Sequence, residues 1–303
     1  MVRRQIAILV ALLSILFSTS CSKDEGEIED SSILPALSGT QLRIASYNLM
    51  FEKTTPADTA KRWSRRLPNI NKILDGYNVD IVGSQEACTW QVNQLVRQGK
   101  YSRLGVDLSG GLDNPKYENE ALFYLTSRFK VIKNGQFWYS TWPGTAGSYS
   151  WDATYARACT WGKFMEIESG VVFYVFNSHF HNEFPVAKLE EAKLLIQKAK
   201  DINTDGLPMF FTGDFNGSPG EDAIQYIKNS GLVSDTHDTA TIKSGGEYTY
   251  HGFNTDPSYG WRLDYVFVNN RVQADAYRVI DDERTTQKWS SDHFPVIVDA
   301  TLN

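Results

Sequence analysis

Two short stretches, Gly213-Asp214-Phe215-Asn216-Gly217-Ser218-Pro219 and Ser291-Asp292-His293-Phe294-Pro295-Val296, set carboxylate, amide and imidazole groups beside apolar, β-branched runs. A strand end is rigid, and side chains there can face a crevice instead of the core. Four other segments follow the same plan. Asn48 ends the run from Leu42, Glu86 follows Asp80–Gln85, His179 ends the run from Val171, and Asp264 leads into Tyr265–Val268. Hard oxygen ligands with imidazoles nearby suit Mg²⁺ and an attacking water, hence hydrolysis of a phosphate ester. That reaction needs charge on the phosphoryl oxygens neutralised, a water aimed in line and the leaving oxygen stabilised. Read singly, Asp214 and Asn216 make an Asx-turn ahead of a helix, and a lone histidine is structural. Gathered at strand ends, they make a site.

The elements that must position these groups alternate along the chain. Strand candidates are Leu42–Asn48, Ile81–Gln85, Ala121–Leu125, Val171–His179, Met209–Gly213, Leu263–Val268 and Val296–Leu302. Helical spacing of apolar residues runs through Thr59–Leu74, Val186–Ala199 and Glu221–Ser230, the last stopped by Gly231. The Gly-, Ser- and Trp-rich stretch Gly135–Trp151 reads as a long loop beside the site. Periodicity gives an α/β or α+β chain, and two sheets packed face to face with helices outside would fit it.

The six polar positions, in this order, resemble the endonuclease/exonuclease/phosphatase superfamily over residues 41–303. The resemblance implies a four-layer α/β sandwich, with two packed, mainly antiparallel β-sheets flanked by helices as in pancreatic deoxyribonuclease. It implies a divalent-metal-dependent phosphoesterase, with Mg²⁺ or Mn²⁺ as cofactor, that cleaves phosphodiester bonds by in-line attack of an activated water. Glu86 is then the metal ligand, and Asn48 and Asp292 complete or orient its shell, the Asn48 amide oxygen facing the ion or its water. Asp214 is the general base, and Asn216 holds water or a phosphoryl oxygen. His293 and His179 donate to the phosphoryl oxygens. Asp264 orients His293. Glu118 is the candidate orienter of His179, with Glu120 equally placed. Arg157 resembles the family's phosphate-facing arginine, with a surface salt bridge as its alternative. Tyr248–Phe253 recurs in a bacterial branch near the deadenylase-like group, so His251 is expected to line a base or sugar pocket. The chain departs from the pattern at His181 and Asn182, where many relatives carry Asp-His; imidazole there would favour softer ions. The implied substrate is a nucleic acid, cut by a nuclease or exonuclease. A phospholipid, sphingolipid, sugar or inositol phosphate is the alternative, and a non-catalytic surface-binding lipoprotein is the reading of another class.

Composition sets the remaining bounds. The 303 residues are 42% hydrophobic and 13% aromatic, enough for one large core. Net charge is −6 with no long basic patch, which argues against a dedicated binder of duplex nucleic acid. Arg3 and Arg4 precede an apolar run from Ile6 to Phe17 and then Ser18-Thr19-Ser20-Cys21. That run is too short to span a bilayer and has the form of a secretory signal over residues 1–20. A cysteine after small residues resembles a bacterial lipoprotein signal, making Cys21 the lipidated terminus of an exported, membrane-anchored monomer. The protein would sit at the outer membrane, on its periplasmic or outer face. Residues 21–40 are acidic and poor in aromatics, as in a flexible tether. Cys88 and Cys159 read as buried thiols, a disulfide being the alternative.

Overall fold

The computed structural model describes residues 34–111, 114 and 116–303. The signal segment, Cys21 and most of the tether lie outside the described residues. Strands follow the chain as β1 (Gln41–Asn48), β2 (Ile81–Gln85), β3 (Tyr101–Leu104), β4 (Leu122–Leu125), β5 (Phe129–Trp138), β6 (Ala158–Glu166) and β7 (Val172–His179). After them come β8 (Met209–Asp214), β9 (Ser234–Asp235), β10 (Ile242–Ser244), β11 (Asp264–Val268), β12 (Val272–Val279) and β13 (Val296–Leu302). The main helices are α1 (Trp63–Gly76), α2 (Thr89–Val96), α3 (Pro185–Ile202) and α4 (Asp222–Asn229).

The strands form two sheets, ordered β10-β12-β13-β1-β2-β4-β3 and β5-β6-β7-β8-β11-β9. Period-two alternation sorts their side chains between layers. Leu42 and Ile44 of β1 join Phe173, Val175, Phe210, Val266 and Val298 in the core between the sheets. Ala45 and Tyr47, on the other face, pack with Ile70, Ile73 and Leu74 of α1 and Val92 and Leu95 of α2. Phe176, Phe211 and Phe267 cover the outer face of the second sheet under Leu195 and Ile196 of α3 and Ile224 and Ile227 of α4. The result is the expected four-layer sandwich.

Strand direction brings the polar groups to one end. β1 runs parallel to β2, and β7 parallel to β8, so the C-terminal ends of all four lie on the same side. β11 and β13 run antiparallel to β8 and β1, so Asp264 and the residues leading into Val296 start at that same end. Beneath it the sheets are joined by polar contacts instead of apolar ones. Gln85 Nε2 donates to Asn177 Oδ1 at 2.8 Å, Thr212 Oγ1 donates to the same oxygen at 3.1 Å, and Asn177 Nδ2 donates to the Ser84 carbonyl at 2.8 Å.

Three expectations need correction. The helical pattern from Thr59 is split into a 3₁₀ turn at Thr59–Lys61 and α1, with Arg62 extended between them. Buried Arg66 takes the Lys61 carbonyl at 2.8 Å and the Leu49 carbonyl at 2.6 Å, which holds the turn away from the helix. Gly135–Trp138 belongs to β5, not to a loop, and the loop beside the site begins after it. The domain also starts before residue 41. The Leu34 N–H donates to the Gly76 carbonyl at 2.8 Å, and its carbonyl accepts from Asn78 Nδ2 at 2.7 Å. Cys88 and Cys159 are free and buried. No helix among the described residues is long and apolar enough to cross a membrane.

Gly83 lies where the polar join is tightest. A Cβ there would stand 2.0 Å from Thr212 Oγ1 and 2.5 Å from Asn177 Oδ1. Gly83→Ala should therefore cost about 1–3 kcal/mol or more, the scale of overpacking a filled core. Urea or guanidinium midpoints measure this, and a midpoint equal to the parent's would refute the tight join.

Candidate active site

Asp214 is the centre of the cluster. Register places it opposite His179 across β7 and opposite Asp264 across β11. Its Oδ1 accepts from the Asn216 backbone N–H at 2.9 Å and its Oδ2 from Asn48 Nδ2 at 3.0 Å. His179 Nε2 lies 3.5 Å and His293 Nε2 3.7 Å from the same Oδ2. Burial pushes the Asp214 carboxyl up to about 6; the Asp264 charge adds to this and His293 opposes it.

Asn48 Nδ2 also donates to Glu86 Oε1 at 3.0 Å, while its Oδ1 accepts from the Met50 N–H at 2.9 Å. The amide oxygen thus accepts from the backbone, and the NH₂ group bridges two carboxylates. Glu86 follows β2 at φ 68°, a left-handed conformation that turns its side chain into the site. Its Oε2 accepts from the Phe51 N–H at 3.2 Å. Burial pushes its carboxyl up to about 7, with the charges of Asp292 and Glu118 adding to the effect. Carboxylates crowded in this way fit a hard divalent cation. Glu86 and Asp292 are the residues that would hold it, and ligand atoms of Glu86, His179 and Asp214 lie within 4.8 Å of one another.

The two histidines are driven apart. His293 Nδ1 meets Asp264 Oδ2 at 2.8 Å. Burial alone would lower its pKa, but the carboxylates of Asp264 and Asp214 hold it well above the usual value. Burial pushes His179 well below the usual value, and the Arg157 guanidinium pushes it further. Arg157 Nη1 stands 2.9 Å from His179 Nδ1. A guanidinium only donates, so Nδ1 accepts and the single proton of the neutral ring sits on Nε2, facing Asp214. Asn216 Nδ2 lies 3.1 Å from that Nε2 and donates to the Phe180 carbonyl at 2.8 Å.

Asn48, Glu86, Arg157, His179, Asp214, Asn216, Asp264, Asp292 and His293 thus gather at one end of the sandwich. Two expected residues do not join them as foreseen. Glu118 does not touch His179; its Oε2 binds Arg157 Nη1 at 3.1 Å and its Oε1 binds Lys53 Nζ at 2.6 Å. Arg157 is wedged between them. The nearest carboxylate to His179 Nδ1 is Glu120, at 3.7 Å, buried and with neither oxygen hydrogen-bonded. His251 is a core residue, stacked 4.0 Å from the Phe294 ring and 4.7 Å from Trp289. Alternation turns its neighbour Tyr250 into the cleft instead, 4.9 Å from the His293 ring. Arg157 is buried, not on a surface salt bridge.

His181 is also buried and takes no place in the cleft. Its Nδ1 and backbone N–H both bond the Glu191 carboxylate of α3, and its Nε2 meets the Tyr155 carbonyl at 2.9 Å. With both ring nitrogens occupied, it is a brace between β7 and α3 and has no bearing on metal preference. Lys188, Trp261 and Tyr155 line the cleft and were not anticipated. Lys188 shares the α3 face with Glu191, a helical spacing that the run after His179 could have revealed.

Residues 45–293 match the sequence model of the endonuclease/exonuclease/phosphatase family, and the chain belongs to that family. Its members are hydrolases of phosphoesters. Among solved structures, an endonuclease/exonuclease/phosphatase from Bacteroides vulgatus is 29% identical, with a TM-score of 0.81 over 87% of this chain and 100% of that one. A mannosyl-6-phosphatase of Bacteroides thetaiotaomicron is 28% identical, with a TM-score of 0.79 over 86% of this chain and 100% of that one. The 3'-5'-exoribonuclease subunit Ccr4 of Schizosaccharomyces pombe is 22% identical over 280 residues, which cover 75% of this chain and 40% of the Ccr4 length.

Replacing His181 with aspartate would set a carboxylate against Glu191 in a buried site. This should lower stability by about 3 kcal/mol or more, as breaking a buried polar pair does. Adding Glu191→Gln should restore part of the loss. Denaturant midpoints of the single and double variants test it; a single variant as stable as its parent would contradict the brace.

Proposed function

We propose that the protein is a divalent-metal-dependent phosphoesterase acting on a small sugar phosphate and releasing inorganic phosphate. The observation that carries this reading is the pairing of every cation in the cleft. The cleft has a volume of about 660 Å³. Its only lysine and arginine among the described residues are Lys188 and Arg157, and each is already bonded to a carboxylate, Glu221 at 2.9 Å and Glu118 at 3.1 Å. A nucleic acid strand needs several free cations for its phosphates. One phosphoryl group needs none beyond the metal and the imidazoles. Likeness to a mannosyl-6-phosphatase over nearly the whole chain supports the same choice. The aromatic rings of Tyr155, Tyr250 and Trp261 offer apolar faces to the carbon skeleton of a sugar. Nucleic acid is the other reading, and the pairing of these cations weighs against it.

The roles follow from the contacts. Asp214, its pKa raised toward neutrality, takes the proton of the attacking water while Asn48 and the Asn216 N–H fix its two oxygens. The P–O bond to the sugar breaks on the opposite side of phosphorus, the leaving oxygen takes a proton from solvent to give the sugar alcohol, and Asp214 returns its proton to solvent. Protonated His293, oriented by Asp264, donates to a phosphoryl oxygen as charge builds there. Neutral His179 turns its Nε2 proton toward Asp214 Oδ2, 3.5 Å away, and so helps to orient that carboxylate. Glu86 and Asp292 would hold a divalent cation, which when bound would neutralise charge at the phosphoryl group. The lipoprotein-like N-terminus further supports an exported, lipid-anchored enzyme.

With Mg²⁺ or Mn²⁺, the protein should release phosphate from mannose 6-phosphate in preference to single-stranded RNA, single-stranded DNA or sphingomyelin. Faster cleavage of an oligonucleotide than of any sugar phosphate would overturn the substrate. Asp214→Ala and His293→Ala should each lower kcat by about 100-fold or more, the scale of a lost general base or charge-stabilising donor. EDTA should abolish turnover and added Mg²⁺ or Mn²⁺ restore it. Near-parental rates for the Asp214 variant would remove it from the role of base. Cys21→Ser should shift the protein from the membrane to the soluble fraction at unchanged activity, and retention would exclude the lipid anchor.

A further inference from the structure

The cleft does not end at the reacting groups. A second cavity of about 490 Å³ adjoins it and shares Tyr155 and Arg157 with it. A third, of about 400 Å³, adjoins the other side and shares Ser218 and Trp261. The three make one trough with the phosphoryl site at its middle. Each flank carries a tyrosine of its own, Tyr117 on the first and Tyr248 on the second. At the shared boundaries stand Tyr155 and Trp261, 37% and 46% exposed, and Tyr117 is 46% exposed. Tyr155 is backed by His181 and Trp261 by Tyr259, so each ring is fixed on one side and leaves part of its surface open to the trough.

The charges of the trough restrict what lies on those rings. Lys53 is paired with Glu118 at 2.6 Å, Lys228 with Asp238 at 2.7 Å, and Arg262 with Asp235. With Arg157 and Lys188, this accounts for every lysine and arginine lining the trough among the described residues. Glu183 lines the central part with no ion-pair partner among the described residues, and Glu247 the far flank. An extended ligand must therefore be neutral along its length, carry hydroxyls for carboxylates and amides to receive, and have apolar patches for aromatic rings. A chain of sugar units meets all three demands, and a nucleic acid strand, charged at every unit, fails the first.

Resting on the sugar-phosphate reading above, we infer that the two flanking cavities are subsites for neutral sugar units. The substrate is then a phosphate monoester carried on an oligosaccharide, bound across the trough, and not a free hexose phosphate. Tyr117 and Tyr248 belong to the flanks alone and touch none of the reacting groups, so they separate binding of the chain from the chemistry.

The experiment compares phosphate release from mannose 6-phosphate and from a manno-oligosaccharide with a 6-phosphate on one unit, in the full protein with Mg²⁺. The oligosaccharide should have a kcat/KM about ten-fold or more higher, equivalent to one well-made stacking contact. Tyr117→Ala or Tyr248→Ala should remove most of that advantage and leave kcat/KM for mannose 6-phosphate within about two-fold, since additivity holds for groups outside the reacting centre. The unphosphorylated oligosaccharide should inhibit the parent protein competitively and more strongly than free mannose, a readout that needs no variant to fold. Equal kcat/KM for the two phosphorylated sugars, or an advantage untouched by both tyrosine variants, would overturn the subsites while leaving the sugar-phosphate reading intact. Hydrolysis of neither sugar phosphate, with cleavage of an oligonucleotide, would instead overturn that reading itself.

Discussion

The spacing of the two sheets beneath the reacting groups is set by one buried amide. Asn177 accepts from Gln85 and Thr212 on its oxygen and donates to the Ser84 carbonyl from its nitrogen, so both sheets are tied through a single side chain. A join of this kind is directional, unlike apolar contact, which tolerates sliding. It works only because Gly83 has no side chain at the crossing. Asn48 and Glu86 stand on the strands of one sheet, and His179, Asp214 and Asp264 on those of the other. Every distance between those two sets is inherited from the join. The Asn48 bond to Asp214 then ties the two sets directly at the cluster itself.

Given that spacing, the electrostatics follow from which neighbours each group meets. His293 faces two carboxylates, and His179 faces a guanidinium, so two like residues a few ångströms from one carboxylate take opposite states. Environments that push paired groups apart are what assign acid and base roles within one site. Glu120 shows the cost of the arrangement. It is buried beside Arg157 and His179 with both oxygens lacking a donor, and burial raises its pKa well above the usual carboxylate value. The Arg157 guanidinium works against that rise.

Much of this was legible in the chain because the reacting residues sit at the ends of strongly apolar strands. Val171–His179 and Ile81–Gln85 announce themselves by β-branched content, and the polar residue that breaks each run is the one that enters the cleft. The strands that were not read are β3, β5, β6, β9, β10 and β12; most lie toward the sheet edges, and β5 exposes Lys130, Lys133 and Asn134 and loses its alternation. The assignments that failed involve choices between neighbours. Glu118 and Glu120 share a face, and only the position of Arg157 decides which meets the imidazole. His251 and Tyr250 lie on opposite faces, and only the stack of Trp289 and Phe294 decides which is buried. Such choices depend on residues far away in sequence, so no local pattern contains them.

The loop after β8 shows how a catalytic segment rich in turn residues stays ordered. Asn216 adopts φ 45°, a left-handed conformation that asparagine tolerates better than most residues. There its N–H reaches back to Asp214, its side chain reaches Phe180 and His179, and its carbonyl accepts from Lys188 Nζ of α3. The same ammonium binds Glu221 at 2.9 Å, whose other oxygen accepts from the Ser218 N–H at 2.9 Å. A cation that a phosphate could have used is thus spent on holding a backbone. The same holds for Arg157, which fixes the tautomer of His179. In this site the lysine and the arginine are committed to the protein's own groups, and on the proposed reading attraction of the substrate's phosphate would fall to a divalent cation and to His293.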